Sequence, residues 1–270
     1  MSWLSEGMTE GLKAQVRRFM PRTVRSHRIL GGRLRGYRIV TSWHDYPAAI
    51  LGNTERPLLE WFEKHVGVGE TWLDVGAHYG YTAIALSRLV GPRGRVFAFE
   101  PVVATAGCST RSGAANGLAQ LVVIPCALGR PDTLELRRLP PVRGMVDSTI
   151  RSGGARLETV LVTRLDWLWS RICNGARRVD GVKIDVQGME IDVIAGMEQL
   201  LREFAPKLVI ELHRGVERRR LLDALDALGY ARLAEPIAPV EGETGPQYLD
   251  DRSYYFPARR ASARGESGAL

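Results

Sequence analysis

One segment of the chain, 71–86, restricts the fold more than any other. Its sequence, TWLDVGAHYGYTAIAL, passes from an apolar strand-like run through a glycine turn into an apolar helix-like run. Similar strand-like and helix-like runs then alternate along most of the remaining chain. Such alternation predicts an α/β fold in which helices cover both faces of a largely parallel sheet. The apolar runs VVIP and KLVIEL fit strands that are buried on both faces.

The periodicity predicts the order of the elements. Strands are predicted at 71–75, 95–100, 120–128, 179–186, 207–212, 230–235 and 252–258, with short strands and turns at 31–42. Helices are predicted at 54–66, 81–90, 102–116, 164–172, 189–204 and 216–229. We expect Thr54 to cap the first of these helices and Gly229 to end the last one.

Residues 132–164 interrupt the alternation. The runs LELRRL, STIRSG and LETVLVT predict a hairpin-like insertion, and loops on a rigid scaffold commonly carry specificity. We therefore expect the insertion to select the substrate. Its residues Arg143 and Arg151 either bind an acidic or phosphorylated substrate or are solvated, and solvation is the default for a surface arginine.

The excess of basic residues lies at the N-terminus. The 270-residue chain has a net charge of +7, and residues 1–40 hold nine Lys and Arg against two Glu, so the rest is neutral overall. Apolar residues recur every four positions in 3–20, which predicts a basic amphipathic helix that stops at Pro21. We favour packing of this helix on the main domain, and the alternative is weak contact with a membrane surface through residues 1–25.

These patterns divide the chain into three predicted regions. They are a basic helix with short strands at 1–50, a main domain at 51–258 that contains the insertion, and a disordered tail at 259–270. No run of about 18 apolar residues is present, and the N-terminus does not have the pattern of a signal peptide.

The cysteines indicate a reducing compartment. Cys108, Cys126 and Cys173 are far apart and form no CxxC pair, which argues against a disulfide framework and against a zinc ribbon. We therefore expect a cytoplasmic protein, with peripheral membrane association as the alternative.

Acidic residues end four of the five predicted central strands. In open parallel sheets, ligands bind beyond the carboxyl ends of the strands. Carboxylates that converge at one edge repel each other, so a purely structural sheet gains nothing from them. We therefore expect a ligand-binding edge that is formed by Asp74–Gly80, Glu100, Cys126–Ala127, Asp185–Gln187 and Glu211–His213.

Two nucleotide-type ligands compete for the glycine turn DVGAHYG. A dinucleotide site uses G-x-G-x-x-G to approach a pyrophosphate, but here the pattern is G-x-x-x-G, with His78 in place of the middle glycine. Asp74, just before the turn, would also repel a pyrophosphate. S-Adenosylmethionine has no phosphate and carries an ammonium and a sulfonium, so Asp74 attracts it and Gly76 allows close approach. Glu100 suits the ribose hydroxyls of either ligand.

Six motifs then extend the comparison beyond the glycine turn. LDVGAHYGYTAIAL, GRVFAFEP, CALG, RLDWL, VKIDVQGMEIDVIAGM and PKLVIELH occur in this order within residues 50–235. In this order the chain resembles FkbM-type S-adenosylmethionine-dependent methyltransferases, and 182–196 is the most specific part. The resemblance implies a Rossmann-like, mostly parallel, seven-stranded methyltransferase sheet. It also implies O-methylation of hydroxyl groups, often on sugars or secondary metabolites.

The resemblance also implies roles for individual residues in binding S-adenosylmethionine. Asp74, Gly76 and Gly80 would hold its methionine part. Glu100 would hold its ribose, and Cys126–Ala127 would lie near its adenine. The predicted cofactor site is completed by the neighbouring residues Ala77, His78 and Pro101.

Two positions depart from the family pattern. His78 stands where the family usually has asparagine, and Gln187 stands where it usually has glutamate. His78 keeps the ability to form hydrogen bonds, so we expect cofactor binding to be retained. Gln187 removes a charge near the substrate side, which argues against a base at this position and for a changed substrate preference.

Methyl transfer to a hydroxyl needs a positioned acceptor oxygen and a base that takes its proton. Asp185 is our first choice for orienting or deprotonating the acceptor, and its alternative role is to cap the next helix through the Gly188–Met189 amides. Glu211 and His213 share one face of a strand, and His213 is either a base that titrates near neutral pH or a surface histidine. Glu190 is interpreted as structural or substrate-positioning.

The sequence argues against a required metal. Asp185, Glu211 and His213 are potential ligands, but no histidine pair at i, i+4 and no compact acidic motif is present. We therefore expect a site without a metal.

The leading hypothesis is an O-methyltransferase that acts on a hydroxyl of a sugar, a glycan or glycolipid, or a secondary metabolite. The alternatives are a methyltransferase that acts on nucleic acid or protein, and a non-catalytic binding module. Nucleic acid is not expected as a partner, because the chain lacks an Asn-Pro-Pro-aromatic motif and a basic patch with interleaved aromatics. The sequence predicts no particular oligomeric state.

Overall fold

The computed structural model describes residues 19–142, 145–146, 157–240 and 242–259. Residues 1–18 of the predicted basic helix, the tail from residue 260, and the loop residues Arg143 and Arg151 lie outside these ranges.

The described residues form fourteen strands and eight helices. The strands are β1 (Arg25–Arg28), β2 (Arg38–Thr41), β3 (Thr71–Val75), β4 (Arg95–Phe99), β5 (Leu121–Ile124), β6 (Ala127–Leu128), β7 (Glu135–Leu139), β8 (Pro141–Val142), β9 (Met145–Val146), β10 (Glu158–Thr163), β11 (Gly181–Ile184), β12 (Lys207–Leu212), β13 (Glu235–Pro236) and β14 (Arg252–Phe256). The helices are α1 (Pro47–Leu51), α2 (Arg56–His65), α3 (Tyr81–Val90), α4 (Val103–Ala115), α5 (Leu165–Ile172), α6 (Glu190–Ala195), α7 (Glu198–Phe204) and α8 (Arg218–Ala227).

A seven-stranded sheet forms the centre of the fold. Its order is β13-β14-β12-β11-β3-β4-β5, in which the last five strands are parallel, while β14 runs antiparallel to β12 and β13 runs antiparallel to β14. The predicted mostly parallel, seven-stranded sheet is therefore confirmed. Val75 lies opposite both Ile184 and Phe99, so the carboxyl ends of β3, β11 and β4 meet at one edge.

Each central strand buries side chains on both faces of the sheet. Leu73 and Val75 of β3 belong to a core that also contains residues of α6, α7 and α8, whereas Trp72 belongs to a second core with residues of α2 and α3. This division follows from the period of two residues in a strand. Full burial of one large apolar side chain contributes about 1.5–3 kcal/mol, so the two cores dominate the stability of the sheet.

The short strands before the main domain pack on α4. The Val40 amide donates to Ser112 Oγ at 2.8 Å, and the Asn116 side chain bonds both the amide and the carbonyl of Arg38. Ile29 and Ile39 are buried in the same core as Trp72. Residues 25–41 therefore share a core with the main domain, while the domain boundaries at 50 and 258 stay predictions.

Two predicted elements are split in the structure. The strand predicted at 120–128 ends at Ile124, because Pro125 has no amide to donate, and Ala127–Leu128 joins a separate sheet of order β6-β10-β7. The helix predicted at 189–204 is broken at Gly196. A Cβ at Gly196 would lie 1.9 Å from the carbonyl oxygen of Gly129, so this position is held by a close backbone approach.

The predicted ends of two helices have different outcomes. Helix α2 begins after Glu55, which adopts a left-handed conformation, and no side chain caps it, so the Thr54 cap is wrong. The Thr54 side chain instead hydrogen-bonds Tyr46. Gly229 follows α8 with φ 91, its amide donates to Asp226, and the Tyr230 amide donates to Leu225, which confirms a glycine at this helix end.

The last predicted strands and the insertion are partly as expected. In place of a strand at 230–235, Tyr230 forms an isolated bridge to Ala258 and β13 occupies 235–236. In the insertion, β7 pairs antiparallel with β10, and β8 pairs antiparallel with β9, which confirms its hairpin-like character. Its role in substrate selection stays a prediction.

Candidate active site

A cavity of about 310 Å³ opens at the carboxyl ends of the central strands. Nine of the predicted site residues line it, namely Gly76, Ala77, His78, Glu100, Pro101, Cys126, Ala127, Asp185 and Glu211. The volume is within the range of small-molecule sites. Asp74, Gly80 and His213 lie behind the cavity wall, since they are buried or packed against neighbouring elements.

The glycines of the turn are explained by packing. Gly76 has φ 83, and a Cβ there would lie 1.7 Å from the carbonyl oxygen of Asp185, so only glycine lets the end of β3 meet the end of β11. Gly80 has φ 87 and begins α3, and a Cβ there would lie 2.4 Å from Ser109 Oγ on α4. The Gly76 amide also donates to the Phe99 carbonyl at 2.9 Å, which joins the ends of β3 and β4.

Asp74 is fully buried and organises the floor of the cavity. Its Oδ2 accepts a hydrogen bond from Thr82 Oγ1 at 2.7 Å, and its Oδ1 lies 3.3 Å from Lys183 Nζ. Lys183 in turn lies 3.2 Å from Asp185 Oδ2 and 3.5 Å from the Gly76 carbonyl oxygen. Asp74 therefore helps to hold the Lys183 ammonium, which in turn contacts Asp185 and Gly76 in the cavity wall.

Lys183 is a functional candidate that the sequence analysis missed. It is 3% exposed and lines the cavity. Burial by itself lowers the pKa of Lys183, but the negative charges of Asp185 and Asp74 raise it well above its usual value, so the ammonium stays charged. The available signal was a lysine inside the apolar run GVKI, where a buried charge requires a partner.

Three of the predicted catalytic side chains form one cluster with Glu190. His213 Nε2 lies 3.4 Å from Asp185 Oδ1 and 3.7 Å from Glu211 Oε1. His213 Nδ1 lies 2.6 Å from Glu190 Oε1, and Glu190 is fully buried. Gln187 Nε2 lies 2.8 Å from His213 Nε2.

Two alternatives from the sequence are corrected by this cluster. His213 is 3% exposed, so it is not a surface histidine. Asp185 instead contacts Lys183 and His213, and no side chain caps α6, so the helix-capping role of Asp185 is wrong. The Gly188 amide donates to Glu190 Oε1 at 3.3 Å.

The electrostatics of the cluster separate its members. The negative charge of Asp185, together with burial, raises the pKa of Glu211 to about 8. Burial lowers the pKa of His213, but the hydrogen bond to Glu190 and the charges of Asp185 and Glu211 raise it to about 9. Burial raises the pKa of Asp185, but the positive charges of Lys183 and His213 lower it by more, so its pKa is below the usual value. Asp185 is therefore ionised at neutral pH. Glu211 and His213 hold protons that are lost only above neutral pH.

Glu100, which follows β4 at the same sheet edge, occupies a different environment. Its Oε2 accepts a hydrogen bond from the His78 amide at 2.9 Å, and its Oε1 accepts one from the Val102 amide at 2.8 Å. Burial raises its pKa to about 7, against these two hydrogen bonds. A carboxylate has about four acceptor positions, so both oxygens can accept further bonds from hydroxyls.

The rest of the cavity wall divides into an apolar and an acidic part. Near Glu100 the wall is formed by Phe99, Pro101, Cys126, Ala127, Leu128 and Leu139. On the other side, a covering segment at 45–55 brings Tyr46 and Glu55 to the cavity, and sequence reasoning missed both. The Tyr46 ring lies 4.9 Å from the His78 ring.

These residues fit S-adenosylmethionine better than a dinucleotide. The apolar wall suits adenine, Glu100 suits two ribose hydroxyls, and the carboxylates suit an ammonium and a sulfonium. Among the described residues that line the cavity, Lys183 is the one permanently charged cation, so a pyrophosphate would face mainly carboxylates.

Asp185, Glu211 and His213 also gather potential metal ligands, with one atom of each within 4.8 Å of the others. The sequence analysis named the same three residues as potential ligands, and the pairing of β11 with β12 brings them together. That the reaction requires no metal stays a prediction.

The profile of a protein family described as "Methyltransferase FkbM domain" matches residues 74–231, which is more than half of the chain. The chain belongs to the FkbM methyltransferase family. As an FkbM methyltransferase, it is an enzyme whose cofactor is S-adenosyl-L-methionine. The matched range includes every predicted cofactor and catalytic residue and excludes the covering segment at 45–55.

Three solved structures are similar to this FkbM methyltransferase. The methyltransferase FkbM from Methylobacillus flagellatus is 16% identical, with a TM-score of 0.47. The match covers 78% of this chain and 52% of that chain, so this chain spans about half of its length. Fibrillarin from Aeropyrum pernix, with natively bound S-adenosyl-L-methionine, is 15% identical with a TM-score of 0.48. The match covers 87% of this chain and 88% of fibrillarin. A putative rRNA methylase from Clostridium thermocellum is 11% identical with a TM-score of 0.46, covering 75% and 93%. At these values the family assignment rests on the profile match.

Two further findings complete the comparison. A search of curated protein sequences found no match. None of the helices in the described part of the chain has the length and apolar character that a membrane span requires.

Proposed function

We propose that this FkbM methyltransferase is an O-methyltransferase that acts on a hydroxyl of a sugar, a glycan or glycolipid, or a secondary metabolite. The observation that carries the proposal is the cluster of Asp185, Glu211 and His213 beside the Gly76 turn. A hydroxyl must lose its proton as the new bond forms, and this cluster places proton acceptors at the wall of the cofactor cavity.

The bound cofactor supplies an electrophilic methyl group, and the chain supplies its binding surface. The backbone carbonyls of Gly76–His78 would hold the ammonium of its amino-acid end, since the three amides already donate to Phe99 and Glu100. Glu100 accepts hydrogen bonds from the ribose hydroxyls, and Cys126–Ala127 lies against the adenine. Asp74 and Gly80 support this surface from behind, through Lys183 and through the packing of α3 on α4.

Asp185 contacts the acceptor hydroxyl in this proposal. Its pKa is lowered and it is partly exposed to the cavity, so it is ionised and accessible. Lys183 orients it by holding Oδ2, which leaves Oδ1 on the side of His213. An oriented, ionised carboxylate both positions the hydroxyl oxygen and begins to take its proton.

Glu211 and His213 extend the proton acceptor beyond Asp185. Glu211 accepts a proton above its pKa of about 8, and His213 accepts one above its pKa of about 9, so their contribution increases as the pH rises. His213 Nδ1 donates to Glu190 Oε1, because both ring nitrogens of a protonated imidazole carry a proton, and this contact fixes Nε2 toward Asp185 and Glu211. Glu190 is therefore a positioning residue.

The acidic cavity argues against nucleic acid as the acceptor. Asp45, Glu55, Asp185 and Glu211 line it, and a phosphate backbone is repelled by carboxylates. Basic residues at 1–40 would give only salt-dependent, non-specific affinity for nucleic acid.

The test is transfer of a labelled methyl group from S-adenosylmethionine to three acceptor pools, namely hydroxyl-rich small molecules and glycans, RNA, and protein. We expect label in the first pool, also in the presence of a strong chelator. Label in RNA or protein alone would contradict the proposal, and loss of transfer on chelation would contradict the metal-free mechanism.

A further inference from the structure

The covering segment at 45–55 brings Asp45 and Glu55 to the cavity, and the proposed mechanism uses neither. Asp45 already contacts Ser42 Oγ at 2.6 Å and His44 Nδ1 at 2.9 Å. Glu55 lies at the start of α2 with a backbone φ of 54, and it lines the cavity together with Thr54 and Tyr46. The Glu55 carbonyl accepts the first helical hydrogen bond, from the Leu59 amide. Its side chain does not cap the helix.

The Glu55 carboxylate has no ion-pair or hydrogen-bond partner among the described residues, although other charges surround it. The positive charge of Lys183 acts on Glu55, but its ammonium lies 3.3 Å from Asp74 Oδ1, 3.2 Å from Asp185 Oδ2 and 3.5 Å from the Gly76 carbonyl oxygen, and it forms no ion pair with Glu55. Glu55 therefore faces the cavity without a donor of its own.

The charges around Glu55 oppose its ionisation. Burial and the negative charges of Asp185 and Asp74 raise its pKa, while Lys183 lowers it. A cation that enters the cavity would relieve this repulsion. Glu55 is not a member of the cluster that offers three metal ligands, so an organic cation fits this position better than a metal ion.

We propose that Glu55 binds an ammonium group inside the cavity, and that the amino-acid end of S-adenosylmethionine is its first source. The covering segment lies against the turn that holds this end, since the Tyr46 and His78 rings are 4.9 Å apart and the Tyr46 hydroxyl bonds Thr54. An amine on the acceptor is the second source of the same group. The inference rests on the proposed placement of the cofactor in this cavity.

The experiment is calorimetric binding of two probes to Glu55→Gln and to the wild type. S-Adenosylhomocysteine carries the amino-acid end, and methylthioadenosine lacks it. We expect Glu55→Gln to weaken binding of S-adenosylhomocysteine by about 10-fold or more, because a charge-assisted hydrogen bond is lost. Binding of methylthioadenosine is expected to change by less than about 2-fold.

The second arm uses glucosamine and glucose as paired probes in the presence of saturating S-adenosylhomocysteine. If the first arm shows no change but Glu55→Gln weakens glucosamine and spares glucose, the ammonium group belongs to the acceptor. Glu60→Gln is the matched control, since Glu60 lies on the same helix with its side chain 46% exposed.

A third variant separates binding from folding. Glu55→Gly accepts the positive φ without strain, so we expect its Tm to match or exceed that of the wild type while S-adenosylhomocysteine binding falls as in Glu55→Gln. Unchanged affinity for all four probes in both variants overturns the inference. A wild type that does not bind S-adenosylhomocysteine overturns the placement of the cofactor as well.

Discussion

Glu100 and Glu211 lie at the same sheet edge, at the ends of strands that are separated by β11 and β3, and the structure gives them different chemistry. Glu100 is held by two backbone amides, and burial raises its pKa to about 7. Glu211 lies beside Asp185, whose charge raises its pKa to about 8. Amide donors fix a carboxylate as a hydrogen-bond acceptor, whereas a neighbouring carboxylate makes it a proton acceptor. In the proposed function, the cavity therefore has a cofactor half around Glu100 and an acceptor half around Asp185 and Glu211.

The strongest way to separate the two halves is Asp185→Asn. We expect kcat to fall by about 10²–10⁴-fold, because the amide cannot take a proton. Affinity for S-adenosylhomocysteine is expected to stay within about 3-fold, because Asp185 serves the acceptor half. His213→Ala is the companion variant, and near-normal turnover in both would remove the assignment of the base.

The two halves meet at Gly76, whose backbone packs on the Asp185 carbonyl. Gly76→Ala is expected to lower the free energy of unfolding by about 2–4 kcal/mol, through the clash and the positive φ. Gly69→Ala is the control, because Gly69 also has a positive φ but a Cβ there meets nothing within 4 Å. It is expected to cost about 1–2 kcal/mol. Equal losses in urea unfolding would show that the contact between the halves is unimportant.

Glu100→Gln addresses the cofactor half alone. We expect the Kd for S-adenosylhomocysteine to rise by about 10-fold, because glutamine replaces one acceptor oxygen with a donor. Calorimetry measures this change, and Glu60→Gln provides an exposed control. At saturating cofactor, kcat is expected to fall far less than in Asp185→Asn. An equal fall in both variants would contradict separate roles for the two halves.

The pH dependence distinguishes the two glutamates directly. Glu211 is protonated below its raised pKa of about 8 and cannot accept a proton there. We therefore expect kcat/KM to rise by about 10-fold per pH unit toward pH 8 and to flatten above it. Glu211→Gln should reduce this slope, while Glu100→Gln should retain it. A flat profile from pH 6 to pH 9 in the wild type would contradict a role for Glu211 as a proton acceptor, because Asp185 alone is already ionised over this range.

The cofactor half was largely predictable from the sequence, because its signals are local. Strand β3 and helix α3 have the predicted bounds, since an apolar run, a glycine turn and a second apolar run follow each other without interruption. Pro125 marked the end of β5 in the sequence, but the apolar run continued past it and hid the split.

The acceptor half was less predictable, because its contacts join distant segments. Lys183 is explained only when β3 and β11 are paired, and the Glu190–His213 contact needs α6 to face β12. Glu55 depends on the fold of the covering segment outside the family match. A sequence pattern shows which residues are acidic, but it does not show which of them lack a partner.

The central claim is that the acceptor half delivers the methyl group to oxygen. The direct measurement is nuclear magnetic resonance of the product formed with isotope-labelled S-adenosylmethionine and a hydroxyl-rich acceptor pool. The predicted result is one labelled methyl ether whose formation stops in Asp185→Asn. A labelled methyl group on nitrogen, sulfur or carbon, or an ether that Asp185→Asn forms at the wild-type rate, would contradict the claim.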